Sequence, residues 1–140
     1  WHGTEACQLL EAPLTVLCVP QIARQLQAPA DLLKHTLLRS YRADEWTQWF
    51  QAAGLPADTL VPRSIVFDSS LAMMEAALQG AGVALAPAMM FSRQLATDVI
   101  RQPFEVGITT GSYWLARLQS RAETPAMAAF KAWLREMAVN

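Results

Sequence analysis

Residues 64–87 read SIVFDSSLAMMEAALQGAGVALAP. A short β-rich run, SIVF, stops at Asp68. Two serines follow, and an apolar helical pattern starts at once. Gly80 and Gly82 close that helix and lead into a second apolar run, VALAP. Strand, helix and strand within 24 residues is the unit of a parallel sheet, because parallel strands need a crossover that a helix supplies. The paired hydroxyls sit at the seam between strand end and helix start. One serine is enough to cap a helix. The second is either filler or faces something that needs hydrogen bonds.

The same alternation runs outward in both directions. LTVLCV (residues 14–19), closed by Pro20, predicts a buried strand, and QIARQL a short helix. Leu37 and Leu38 lie in a further strand. In ADEWTQWFQAAGLP, Trp46, Trp49, Phe50 and Ala53 share one helix face, Asp44 stands at the N-cap, and Gly54 with Pro56 stops the helix. AMMFSRQLATDVI reads as helical, residues 104–108 as irregular or extended, and GSYWLARL as a fifth strand. Thr124 caps a final helix with Pro125 in its first position, and Met127, Phe130, Leu134 and Met137 form its apolar stripe. Leu71, Met74 and Leu78 are expected on one side of the helix after the serines, with Met73, Met74, Met89 and Met90 filling core gaps. The first dozen residues show no period. Short apolar strands alternating with helices predict an α/β fold with a mostly parallel sheet covered on both faces. In such sheets ligands sit at the carboxyl ends of the strands, and Asp68-Ser69-Ser70 is such an end.

Composition narrows the function classes. The 140 residues suffice for one domain with a core; 53% are hydrophobic and only 16% charged. A net charge of −1 gives no basic field to hold a phosphate backbone. No apolar stretch reaches the ~18 residues of a membrane span. Cys7 and Cys18 do not make a disulfide framework, and Cys18, inside LTVLCV, is expected as a buried thiol. A serine nucleophile needs a base, and His2 and His35, the only histidines, belong to no recognisable triad pattern. Those histidines and the two cysteines lack the paired spacing of a zinc site. Gly80-Ala81-Gly82 precedes a strand, where a dinucleotide loop would follow one. The expectation is therefore no catalytic residue, no metal and no cofactor. At the α-helix start, capping alone and capping plus ligand reading both fit Ser69 and Ser70. Tyr113, beside Gly111 and Ser112 at the entry of an apolar strand, is a second candidate for ligand contact.

Several pieces together resemble one family. The strand–Ser–helix–Gly–x–Gly–strand–Pro order of residues 64–90, the tail SYWLARLQSRAETPAMAAFKAWLREMA with its A-F-x-x-W-L core, and the opening WHGTEACQLLEAPLTVLCVP resemble the effector-binding domain of LysR-type transcriptional regulators, over nearly the whole chain. The resemblance implies a two-lobed, type II periplasmic-binding-protein-like α/β fold with a ligand cleft. Residues 1–12 would end subdomain I, 13–113 would form subdomain II, and 114–140 would return to subdomain I as strand and helix. The family's N-terminal winged helix-turn-helix would be absent. Within the family, WHG, ADEWTQWFQAAG and FDSSLAMMEAALQGAGVALAP are most similar to the regulators of inducible β-lactamase, with the glycine-cleavage activators as a neighbouring group. That likeness implies a sensor for a muropeptide or UDP-MurNAc-peptide effector, held by Ser69, Ser70 and Tyr113. It also implies a homo-dimer or tetramer, promoter DNA bound through the absent domain, a cytoplasmic location and no membrane. The alternatives are a lobe of a periplasmic solute-binding protein, which shares the fold, and the effector domain of another LysR-type regulator such as a glycine-cleavage activator.

Overall fold

Thr4–Glu11 forms a strand, β1, where the sequence shows no period. A computed structural model describes residues 2–59, 61 and 64–139. After β1 come β2 (Leu14–Leu17), the four-residue helix α1 (Pro20–Ala23), a 3-10 turn (Pro29–Lys34), β3 (Leu37–Arg39) and α2 (Glu45–Ala52). Then follow β4 (Ser64–Val66), α3 (Ser70–Leu78), β5 (Val83–Pro87), a 3-10 turn (Ala88–Phe91), α4 (Ser92–Ala96) and β6 (Gly107–Ile108). The chain ends with β7 (Ser112–Leu118) and α5 (Pro125–Val139).

The chain divides into two compact units, one of Trp1–Ala12 with Gly111–Asn140 and one of Pro13–Thr110. The second division falls three residues before the expected 113/114 boundary, which assigns Tyr113 to the same unit as β1.

The Pro13–Thr110 unit carries a five-stranded sheet in the order β4-β3-β5-β2-β6. β3 is parallel to both β4 and β5, while β2 is antiparallel to β5 and β6. Four strands therefore run one way and β2 alone runs the other. The sheet is mixed in its pairings because β2 lies between two strands of the opposite direction. Leu14 stands opposite both Pro87 and Ile108, so β2 starts at the edge where β5 and β6 end. Strand–helix alternation reports crossovers between successive strands; it carries no information on the direction of an entering strand.

Period-2 alternation sorts the strand residues onto two faces. Val16, Cys18, Leu37, Val83 and Leu85 pack with Trp46, Trp49 and Phe50 of α2. Leu17, Leu38, Ala84 and Ala86 pack with Met73, Met74 and Ala77 of α3, and with Phe91 and Ile100. Helices thus cover both faces. Bulky rings fill the α2 side, and small Ala84 and Ala86 give α3 a flat bed. Cys18 is fully buried, and burial pushes its thiol up to about 11, as expected for an inert core residue. Trp46 Nε1–H donates to the Leu38 carbonyl (3.1 Å) and Trp49 Nε1–H to that of Val106 (3.0 Å).

Three expectations shift. Leu71 is exposed, and Met73, Met74 and Ala77 form the buried stripe of α3 in its place. Met89 and Met90 are also exposed, because the 3-10 turn at 88–91 sends Phe91 inward instead. Asp44 stands at the N-cap of α2 without capping; its carboxylate accepts from the Gln48 side chain.

In the other unit β1 pairs antiparallel with β7, from Thr4↔Leu118 to Glu11↔Ser112. Arg117 and Glu5 form an ion pair across the ladder. Thr124 Oγ accepts from Met127 N–H (3.2 Å), so α5 is capped as expected. The stripe of α5 is not buried, however: Met127, Phe130 and Met137 are exposed, and Leu134 is half-buried. Two strands offer too little surface to cover a four-turn helix.

Candidate functional site

The carboxyl ends of β3, β4, β5 and β6 share one edge of the five-stranded sheet. The β4 end is built first by a register bond: Phe67 N–H donates to the Arg39 carbonyl (2.9 Å), which closes the β3–β4 pair. Phe67 packs partly against the α3-side core, and Asp68 turns outward, exposed. Ser69 takes extended backbone angles (φ −134°, ψ 128°), and its Oγ accepts from Ala72 N–H at 3.4 Å. It is the N-cap of α3. Ser70 is the first helical residue, half-buried, and its hydroxyl has no hydrogen-bond partner among the described residues. Beside it lie the free N–H groups and partial positive charge of the first turn.

The division of labour between the serines has a stability consequence. Ser69→Ala removes the cap and is expected to lower stability by about 1 kcal/mol, at the modest end because the bond is long. Ser70→Ala removes no bond within the described residues and should leave the thermal midpoint near that of the wild type. Thermal unfolding of the two variants side by side checks both.

At the β3 end of the same edge, Ser40 Oγ–H donates to Glu45 Oε2 (2.8 Å) and accepts from Arg42 N–H (3.2 Å). Glu45 is buried in the first turn of α2. Arg42 is exposed, and its Nη1–H donates to the carbonyl of Thr110 (2.9 Å), just beyond β6. Sequence reasoning passed over Arg42, although it occupies the loop after a strand end just as Asp68-Ser69-Ser70 does. The same positional signal would have found it.

Tyr113 belongs to the chain's other unit. It is 47% exposed near the start of β7, opposite Leu10, where the ladder has an irregular register. Trp114 is equally exposed. Among the described residues no His, Cys, Asp or Glu cluster fits a metal ion, and both cysteines are free.

A strand-end hydroxyl beside an open helix start on an α/β sheet edge is an arrangement suited to holding a carboxylate, a phosphate or an amide carbonyl. Comparison gives the class: the sequence matches the family described as LysR substrate binding domain over residues 1–139, and the chain belongs to that family. Its fold is the type II periplasmic-binding-protein-like α/β fold of LysR effector domains. It is 72% identical over 138 residues to the HTH-type transcriptional activator AmpR of Pseudomonas aeruginosa, a match covering 99% of this chain and 47% of that protein. The solved effector domain of AmpR from P. aeruginosa superposes with a TM-score of 0.92 at 70% identity, covering 99% of this chain and 67% of that one. A Citrobacter freundii effector-binding domain with three substitutions, among them Ser to Ala and Tyr to Phe, gives 0.91 at 48% identity, covering 99% and 70%. The chain spans about half the length of the curated relatives it matches. Those relatives are named as transcriptional regulators, not as enzymes or solute carriers. Among the described residues no helix is long and apolar enough to cross a membrane.

Proposed function

We propose that this chain is the ligand-sensing part of a cytoplasmic LysR-type regulator of β-lactamase expression, and that its effector is a peptidoglycan fragment: a muropeptide or UDP-MurNAc-peptide. The carrying observation is the high identity to AmpR across nearly the whole chain. Residues 13–113 act as subdomain II, with residues 1–12 as the end of subdomain I and 114–140 as its return strand and helix. Ser70 donates to or accepts from a carboxylate or amide of the effector's peptide while Ser69 caps the helix. Tyr113 contributes a second contact with its hydroxyl or ring face.

A spacing supports the choice of Ser70 over Ser69. The substituted serine and tyrosine of the C. freundii domain stand 43 positions apart, as Ser70 and Tyr113 do here. The sensor does no chemistry. Two effectors with different preference for two arrangements of the protein shift their balance, and only differential affinity can shift it. The regulator works as a dimer or tetramer and passes its output to promoter DNA through a separate DNA-binding domain.

The test is calorimetric titration of the full-length regulator with UDP-MurNAc-pentapeptide and with the same nucleotide sugar lacking the peptide. Binding should require the peptide. Ser70→Ala should weaken it by roughly 1.5–3 kcal/mol, about tenfold or more, the worth of a hydrogen bond to a charged group. Ser69→Ala should bind nearly as wild type. Equal binding of both ligands, or an unaffected Ser70→Ala, would refute the peptide-reading role.

A further inference from the structure

The sheet edge that has Ser70 at its β4 end also carries a cationic side chain, Arg42, that reaches toward its β6 end. Arg42 leaves the β3 end in the loop before α2, yet its Nη1 reaches the Thr110 carbonyl beyond β6. β3 and β6 are three places apart in the sheet, roughly 14 Å at about 4.8 Å per strand. The loop and side chain together therefore carry the guanidinium across the edge, while the residue stays exposed to solvent. The backbone is held by Arg42 N–H to Ser40 Oγ, itself tied to buried Glu45, while the guanidinium is held by Nη1–H to Thr110 and by the Tyr41 side chain. Arg42 makes no ion pair among the described residues, whereas Arg101, Arg117, Lys34 and Lys131 each pair with a carboxylate. The N–H donors not engaged by Thr110 and Tyr41 are suited to a carboxylate or phosphate oxygen, in competition with the nearby Asp44 and Glu45 carboxylates. The neighbouring Tyr41 ring is 72% exposed, with Arg42 Cζ 5.9 Å from its centroid. An exposed aromatic beside a guanidinium can add a ring face to the contact with a ligand.

We propose that Arg42, backed by Tyr41, binds an anionic group of the effector, so that the ligand is elongated and is gripped at two separated points of one sheet edge. This rests on the muropeptide reading above and extends it to a second contact. The anion is either the diphosphate of a nucleotide sugar or a carboxylate of the peptide. Both offer paired oxygens to a guanidinium fork.

The experiment titrates the full-length regulator and its Arg42→Gln, Arg42→Lys and Tyr41→Ala variants with three probes. These are UDP-MurNAc-pentapeptide, UDP-MurNAc without peptide, and an anhydro-muropeptide that lacks phosphate. Arg42→Gln should weaken the pentapeptide complex tenfold or more and flatten its salt dependence. Arg42→Lys keeps the charge without the fork and should fall between; it and Tyr41→Ala decide the matter if Arg42→Gln does not fold. A loss seen with both peptide ligands assigns the anion to the peptide carboxylate. A loss seen with UDP-MurNAc-pentapeptide but not with the anhydro-muropeptide assigns it to the diphosphate, the peptide-free nucleotide sugar being the control expected not to bind. If the wild type binds and folded Arg42 variants bind every probe equally well at every salt concentration, the Arg42 assignment falls and the muropeptide reading stands. If the wild type binds none of the probes, the reading itself is overturned and Arg42's role with it.

Discussion

Trp49→Ala is expected to destabilise the protein by about 3–5 kcal/mol, the range for emptying a fully buried aromatic site. Trp49 is 0% exposed and lies at the centre of a ring cluster, with centroids 6.0 Å from Trp46, 5.7 Å from Phe50 and 5.8 Å from Phe104. Alanine leaves a cavity among rigid neighbours that cannot collapse into it. It also strips the Val106 carbonyl of its indole donor. That carbonyl immediately precedes β6, so the loss loosens the strand whose far end receives Arg42. Urea denaturation should show a much lower midpoint at an unchanged slope. Trp49→Phe keeps most of the ring and should cost clearly less. A loss under 1 kcal/mol for Trp49→Ala would mean that α2 does not anchor β6.

Gly82→Ala should be nearly as damaging, although it adds a single methyl group. A Cβ at Gly82 would stand 2.3 Å from the Thr36 carbonyl oxygen and 3.1 Å from Leu38 Cδ2. The oxygen is backbone and is already held by Val83 N–H at 2.9 Å. To admit the methyl, the start of β5 must move off β3, where Leu37 opposes Val83. Overpacking of this kind costs about 1–3 kcal/mol and here sits at the top of that range or above. Gly80 is the internal control. It has φ +76° with nothing near its missing Cβ, so Gly80→Ala should cost only about 1 kcal/mol, from backbone strain alone. Paired thermal melts rank the two. A Gly80→Ala variant less stable than Gly82→Ala would invert the argument.

These two glycines illustrate what a sequence discloses. Their presence between α3 and β5 marks a turn, and the turn is there. Which one needs its glycine for conformation and which for space depends on a strand more than forty positions upstream, and no local pattern encodes that. The helix face of Trp46, Trp49 and Phe50 was legible because amphipathic period is a local property. β1 was not. TEACQLLE mixes charged and apolar residues without order, and its strand exists only through pairing with β7, more than a hundred positions away. The site divides the same way. The strand-end position of Ser69 and Ser70 can be read directly from SIVFDSSLAMME. The cap belongs to Ser69 alone only once the Ala72 N–H is located. Arg42 acquires meaning only when the Thr110 carbonyl is found within its reach.

The chain enters the Pro13–Thr110 unit on β2 and leaves it on the neighbouring β6, with Leu14 and Ile108 side by side. This adjacency bears on the order of folding. A loop of about a hundred residues costs about 4 kcal/mol of closure entropy before β1 can meet β7. Once the continuous unit has folded, its two exits already hold the flanking segments within one strand spacing, and most of that entropy has been lost beforehand. Folding of the 13–110 segment before β1 pairs with β7 would thus remove most of the closure cost of that pairing. Its adjacent entry and exit also make it a natural cassette: an insertion that a host strand pair can accept without being pulled apart.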